Sequence, residues 1–353
     1  MGLCHGTPSR SARQLTAACS LRCTCLRRRE RCHKFAIASL CYGRAMHSKL
    51  KAMLLAMPYS ALLAGYYLNH AKTVALRGTR ARDFLGVPKF AELDLSSVKT
   101  SDTVFILGSG ASINNISDEG WANIAKHDSF GFNFWLIHKF VPTLYFSEAL
   151  PETAPGFDYP RLYRRYVDAA ALRPEYAHVP KVLTDFTIDR AYFWQGLPEH
   201  MKENVYSVAT IPAFARTESE FRRNAKELKR LGVFKQKSHI RHLFKYRATI
   251  SMLVSLAYMM GYKRIVLCGV DITDPRYFYH DADRYPQFKE VESARPGKVH
   301  ITGVERDMMV TAQTVIQVLN EVVLKPDNVE LLVENPQSAL SSFLRAARAS
   351  DLG

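Results

Sequence analysis

Residues 103–113, Thr-Val-Phe-Ile-Leu-Gly-Ser-Gly-Ala-Ser-Ile, limit what this chain can fold into more than any other stretch. Four uninterrupted apolar residues, Val104 to Leu107, make the short run of a strand covered on both faces, the kind found in parallel sheets. Gly108 and Gly110 then allow a tight turn and a close backbone approach to a ligand. Ser112 offers an N-cap hydroxyl for a helix starting there, whose dipole favours an anion such as phosphate. The pattern is neither the dinucleotide GxGxxG nor the GxxxxGK[ST] phosphate loop, so a plain strand-to-helix turn is the competing account.

From Ser96 onward the chain has the rhythm of an α/β domain. Residues 121–125 read as helix, 129–134 as a second strand and 143–147 as a third, while 250–260 read as a helix leading into a strand over 265–268. This order predicts a doubly wound, mostly parallel sheet, with ligands gathered at the carboxyl ends of its strands. Those ends are Gly108 to Ser112, Asn133, Ser147 with Glu148, and Cys268-Gly269-Val-Asp271. The stretch 151–245 has weak periodicity and more charge, and reads as a helical insertion over the site that selects the acceptor. Residues 96–345 are thus the catalytic domain, with a lid over 272–299.

Charge is distributed unevenly. Before Asp83, 15 Lys and Arg stand against one acid, Glu30, so +14 of the formal +15 lies there and +1 is left for the rest. A nearly neutral catalytic part gives no electrostatic footprint for nucleic acid. Six of the seven cysteines, Cys4 to Cys41, also precede it, leaving Cys268 without a disulfide partner in the folded part, as suits a reducing cytoplasm. Residues 1–45 read as a disordered basic segment, either a leader or a region upstream of a start at Met46. The CxC spacing of Cys23 and Cys25, with Cys32 and His33, is not a zinc-finger or ribbon pattern.

Within residues 46–95, a membrane-proximal helix and linker, 52–68 are uncharged and flanked by Lys49, Lys51, Lys72, Arg77, Arg80 and Arg82. With Pro58 inside and Tyr66 and Tyr67 near its end, the segment fits peripheral attachment to the anionic inner face of a bacterial cytoplasmic membrane. A helix packed on the catalytic domain and a short membrane span are the other two readings.

The polar, aromatic run 274–285 reads as a lid, in which Tyr277 and Tyr279 can donate phenolic hydrogen bonds to a departing phosphate. Asp281 and Asp283 form a formal DxD, a metal-holding pattern that here does not directly follow a strand. His300 precedes an amphipathic pattern over 308–323 and is a candidate proton acceptor from a hydroxyl nucleophile; a structural surface histidine is the alternative.

Taken together these residues resemble the bacterial lipooligosaccharide sialyltransferases of glycosyltransferase family 42, and more loosely a wider group that includes pterin-diphosphokinase-like proteins. Gly108-Ser-Gly-Ala-Ser-Ile is similar to that family's Gly-Asn-Gly-Pro-Ser-Leu, and Gly131-Phe-Asn133-Phe to its strand ending in Asn. Tyr145-Phe-Ser147 falls where the family has a third strand ending in Asn, and Gly261-Tyr-Lys-Arg-Ile-Val-Leu-Cys-Gly-Val-Asp271 follows its Gly-Tyr-Lys-Glu-Ile-Tyr-Leu-Ser-Gly-Ile-Asp. Glu334-Asn-Pro-Gln-Ser-Ala-Leu-Ser-Ser-Phe343 resembles its Cys-Pro-Asn-Ser-Leu-Leu-Ala-Asn-Phe. The likeness runs from about Val104 to Phe343 and is poor across the insertion.

The resemblance implies a single Rossmann-like (GT-A variant) domain with a helical lid or insertion, and an inverting transfer of an acid sugar from a CMP-sugar to a glycan of lipopolysaccharide or lipooligosaccharide. It implies that Gly108, Ser109, Gly110, Cys268, Gly269 and Asp271 hold CMP, and that Asn133 and Ser147 face phosphate and donor sugar. Tyr279 falls at one of the family's two phosphate-stabilising tyrosines; the second position is Thr273, where Tyr277 can substitute. Arg247 matches an Arg that shapes the site, and His300 the general base. Ser109 and Ser147 stand where the family has Asn, which leaves the sugar open: sialic acid or another CMP-linked acid sugar such as Kdo. No cofactor or metal is implied, because one phosphate can be stabilised by neutral donors. Two other readings keep the nucleotide fold: an ATP- and Mg²⁺-dependent diphosphokinase using Asp271, Asp274, Asp281 and Asp283, and a non-catalytic scaffold at the membrane. A homo-oligomer is compatible with all three.

Overall fold

A computed structural model describes residues 59–149, 159–186, 190–213, 215–235, 238–272, 274–288 and 310–351. Residues 1–45, Thr273, residues 289–299 of the expected lid and His300 lie outside the described residues. The chain divides into two compact units, Met1–Lys72 and Thr73–Gly353.

In the first unit, the described residues 59–72 belong to helix α1 (Tyr59–Leu85). Leu62, Leu63, Tyr66 and Tyr67 are buried there, while Leu68 is exposed. Among the described residues no helix is long and apolar enough to cross a membrane.

The second unit is built on an eight-stranded parallel sheet. Its strands are β1 (Thr103–Leu107), β2 (Asp128–Phe132), β3 (Leu144–Glu148), β4 (Lys181–Thr184), β5 (Val205–Val208), β8 (Arg264–Cys268), β9 (Glu330–Val333) and β10 (Arg345–Ala346). A separate parallel pair is formed by β6 (Thr210–Pro212) and β7 (Leu243–Lys245). The main order is β10-β9-β8-β1-β2-β3-β4-β5. Val104 to Leu107 and Ile265 to Cys268 have no exposed surface, as expected of central strands with helices on both faces. The chain leaves β1 toward β2 and β3 on one side and later returns to β8 on the other, with Leu107 in register with Gly131 and with Cys268. The β1–β8 junction is therefore the topological switch point, where open α/β sheets leave a crevice.

Helices α2 (Asp118–Ile124), α3 (Tyr159–Ala171), α4 (Ala191–Gln195), α5 (Glu199–Lys202), α6 (Glu218–Arg230), α7 (Thr249–Met259) and α8 (Ala312–Leu319) complete the unit. The Ser117 and Thr217 hydroxyls cap α2 and α6 by accepting from the Gly120 and Glu220 amides. The amphipathic pattern after His300 appears as α8 and a wider turn through Leu324.

Three expectations are corrected. The stretch 151–245 is not only helical, because it supplies β4 and β5 to the main sheet. The second strand stops at Phe132, since Asn133 takes a left-handed backbone (φ 53°) that ends the extended run. Finally, the helix expected at Ser112 is a single 3₁₀ turn, Ala111–Asn115, with Gly110 at its N-cap and no side-chain cap.

Candidate active site

At the switch point the chain ends of β1 and β8 cross at backbone contact. The Gly108 N–H donates to the Cys268 carbonyl and the Gly110 N–H to the Gly269 carbonyl, both at 2.8 Å. A Cβ on Gly108 would stand 2.5 Å from the Gly269 oxygen, and one on Gly269 would stand 2.5 Å from both the Gly108 oxygen and Ile113 Cγ1. Gly269 also has φ +63°, so it needs glycine for conformation as well as for space.

The turn that follows is largely committed to the protein itself. Ala111 N–H reaches the Arg276 carbonyl at 3.2 Å and Ser112 N–H reaches Asp271 Oδ2 at 3.0 Å. The Ser112 hydroxyl donates to Asp271 Oδ1 (2.6 Å), and Asn335 Nδ2 donates to the same oxygen (2.9 Å). Ser112 is thus a ligand of the Asp271 carboxylate rather than a helix cap awaiting an anion. Among the described residues these bonds leave the Ser109 amide as the turn's remaining donor.

The lid segment lies along the turn. Phe278 N–H donates to the Ser109 carbonyl (3.0 Å), and Tyr277 bridges Gly110 in antiparallel fashion. This holds the Tyr277 and Tyr279 rings in a stack, 5.2 Å apart and 16° from parallel, with Phe134 5.9 Å from Tyr279. Burial pushes both phenols above their ordinary pKa, so each stays an O–H donor at neutral pH.

The opposite wall is made of charge. Glu148 ends β3, Lys245 ends β7, and Asp185 follows β4; Lys245 Nζ lies 2.7 Å from Glu148 Oε2 and 3.8 Å from Asp185 Oδ2. Asp185 is fixed in turn by the Thr210 N–H (2.9 Å) and hydroxyl (2.7 Å). Beneath this wall Tyr166 donates to the Ser147 hydroxyl (2.9 Å) and meets Tyr145, whose hydroxyl donates to the Asn133 carbonyl.

A cleft of about 350 Å³ lies between the two walls, within the usual size of a small-ligand site. Of the residues singled out in the sequence, Gly108, Ser109, Gly110, Asn133 and Arg247 line it, with Gly269, Asp271, Tyr277 and Tyr279. Ser112 faces an adjoining polar hollow beyond Asp271. Ser147 and Cys268 are buried and do not line the cleft, because alternation along each strand turns them inward and presents their neighbours Glu148 and Gly269. Thr273 and His300 lie outside the described residues.

Asn133 (φ 53°), Arg247 (φ 63°) and Ile272 (φ 58°) all border the cleft in the left-handed region, half of the six such non-glycine residues described. For a β-branched residue such as Ile272 that backbone is a genuine outlier, and strain of this kind concentrates at functional sites. Lys245 and Arg276 are lining residues that sequence reasoning did not single out: Lys245 ends a three-residue strand inside an aperiodic stretch, and Arg276 lies in an aromatic loop.

The carboxylates around the cleft are engaged. Asp274 holds Arg276 through both oxygens at 2.7–3.0 Å, and the Arg276 hydrogen bonds keep its pKa below the usual range. Asp281 accepts from the Asp283 and Arg284 amides at 3.2 Å, closing its own turn. Among the described residues no three His, Cys, Asp or Glu side chains gather as a metal site.

No family model matches the chain, and no curated protein matches it by sequence. Among solved structures it is similar to the sialyltransferase CstII in complex with CMP (15% identity, 71% of this chain and 88% of that one, TM-score 0.38). CstII from Campylobacter jejuni in complex with the substrate analogue cytidine-5'-monophosphate is similar at 14% identity over 70% and 86%, with TM-score 0.35. CstII with a trisaccharide acceptor and CMP is similar at 14% over 71% and 88%, with TM-score 0.37. What this chain can bind is set by its own cleft residues.

Proposed function

We propose that this chain is a glycosyltransferase that moves an acid sugar from a CMP-sugar to a hydroxyl of a glycan acceptor. The supporting observation is convergence: a glycine turn, a left-handed Asn, a Gly-Val-Asp strand end, an Arg and a tyrosine pair, scattered from residue 108 to 279, wall one cleft at the switch point. Apart from Tyr277, which substitutes for the family's second tyrosine, those residues belong to the motifs that resemble the CMP-sugar transferases.

In this reading the phosphate of the donor sits at the Ser109 amide and the Tyr277 and Tyr279 hydroxyls, neutral donors whose pKa burial raises further above its ordinary value. Neutral donors preorganised in a closed site stabilise the charge that develops as CMP departs. His300 takes the proton of the attacking hydroxyl, and attack opposite the leaving phosphate inverts the anomeric centre. The reaction needs no metal, since CMP leaves with a single phosphate. The alternative of ATP and Mg²⁺ is weakened by the commitments of three of its four proposed ligands: Asp271 to Ser112 and Asn335, Asp274 to Arg276, and Asp281 to its own turn. The acceptor is a glycan or glycolipid, and attachment at an anionic membrane surface through residues 46–95 belongs to the same proposal.

The test is transfer from a CMP-sugar by the native chain and by His300→Ala. The variant should bind CMP as the native chain does and lose transfer by on the order of 10²-fold or more. Equal transfer by both would remove His300 from the chemistry, and unchanged transfer in EDTA is expected.

A further inference from the structure

We infer that the Glu148–Lys245–Asp185 cluster is a reader of sugar hydroxyls, with Glu148 as its contact residue. The inference rests on the CMP-sugar reading of the cleft and adds where the uncharged, hydroxyl-rich part of a substrate is recognised.

Three strand ends converge to build the cluster, and each member is held differently. Asp185 is immobilised by two hydrogen bonds from Thr210, and Arg190 ties the backbone beside it by donating to the Ala149 (2.6 Å) and Asp185 (3.4 Å) carbonyls. Lys245 is suspended between the two carboxylates. Glu148 borders the cleft and, among the described residues, accepts from Lys245 through Oε2, so Oε1 keeps acceptor capacity for a ligand.

Charge decides the ligand class. Two carboxylates stand against one ammonium, so Lys245 has no surplus positive charge to offer a phosphate or carboxylate. What the wall presents is a carboxylate acceptor held by an ion pair beside a donor with a remaining N–H, a combination that suits hydroxyl groups, each of which both gives and takes a hydrogen bond. The cleft thereby offers two kinds of group: tyrosine hydroxyls and the Ser109 amide for the anion, and a paired carboxylate for the polyol. The hydroxyls belong either to the donor sugar or to the acceptor sugar.

The experiment uses the full chain and its Glu148→Gln and Lys245→Met variants. Calorimetry measures the affinity of CMP and of CMP-N-acetylneuraminic acid without acceptor, and kinetics measure the acceptor KM at saturating donor. CMP affinity should be unchanged in both variants. If the donor sugar is read, the variants lose about tenfold in affinity for the CMP-sugar; if the acceptor sugar is read, they show about a tenfold higher acceptor KM with kcat retained. Equal weakening of CMP and CMP-sugar would make the cluster a structural support and overturn the inference, as would no change in either quantity. Failure of the native chain to bind CMP would instead overturn the reading on which the inference stands.

Discussion

The two walls of the cleft are opposites in construction. On the glycine side, main chain lies against main chain: four residues, Gly108, Gly110, Cys268 and Gly269, exchange hydrogen bonds at separations that exclude a Cβ at Gly108, Gly110 and Gly269. On the charged side, long side chains from separate strands meet through ion pairs and stay a quarter to a third exposed. The contrast separates two tasks that a sequence motif merges. The glycine wall sets the spacing of the crossing strand ends by main chain alone, whereas the charged wall is built of paired side chains that border the cleft.

Substitutions can break this contrast. The largest effect is expected from Gly269→Ala, which adds both an overlap at 2.5 Å and left-handed strain; we expect a loss of about 3 kcal/mol or more in denaturant unfolding, or no folded protein. Retention of native stability would show that the strand ends can separate and that the wall is not a rigid spacer. His300→Ala should reduce transfer by on the order of 10²-fold in a transfer assay while CMP binding is kept.

Smaller effects sharpen the picture. Ser112→Ala takes a 2.6 Å hydrogen bond from the buried Asp271 carboxylate, and a cost of about 1–3 kcal/mol is expected from chemical unfolding. A change of a few tenths would mean that solvent replaces the hydroxyl. Lys245→Met, by contrast, removes a partly exposed pair, so its stability should stay within about 1 kcal/mol of the native chain while ligand recognition suffers. A larger destabilisation would make the charged wall as structural as the glycine wall.

The parts of the fold legible in the sequence are those where burial forces a continuous apolar run. β1 and β8 announce themselves because all four residues from Val104 and from Ile265 are apolar and fully buried. β4 and β5 do not, being four residues long and carrying polar side chains inward. Lys181 is buried in β4 with its ammonium bonded to the Tyr176 and Val179 carbonyls, and burial lowers its pKa to about 8. Nothing in its neighbours along the chain predicts that environment. Ser112 was visible as a polar residue after a glycine turn, but its partner Asp271 lies 159 residues away, so a capping role was the local inference. Glu148 could be placed at a strand end from sequence; its partner Lys245 could not, because 97 residues and three uncharted strands separate them.

The central claim is that the cleft between these walls is made for CMP, and the direct measurement is a thermal-shift comparison of the full chain with CMP, UDP and ATP, each with and without Mg²⁺. The account predicts that CMP raises the melting temperature most and that Mg²⁺ leaves its shift unchanged. A larger shift with ATP that depends on Mg²⁺, or no shift with CMP at any concentration, would contradict it.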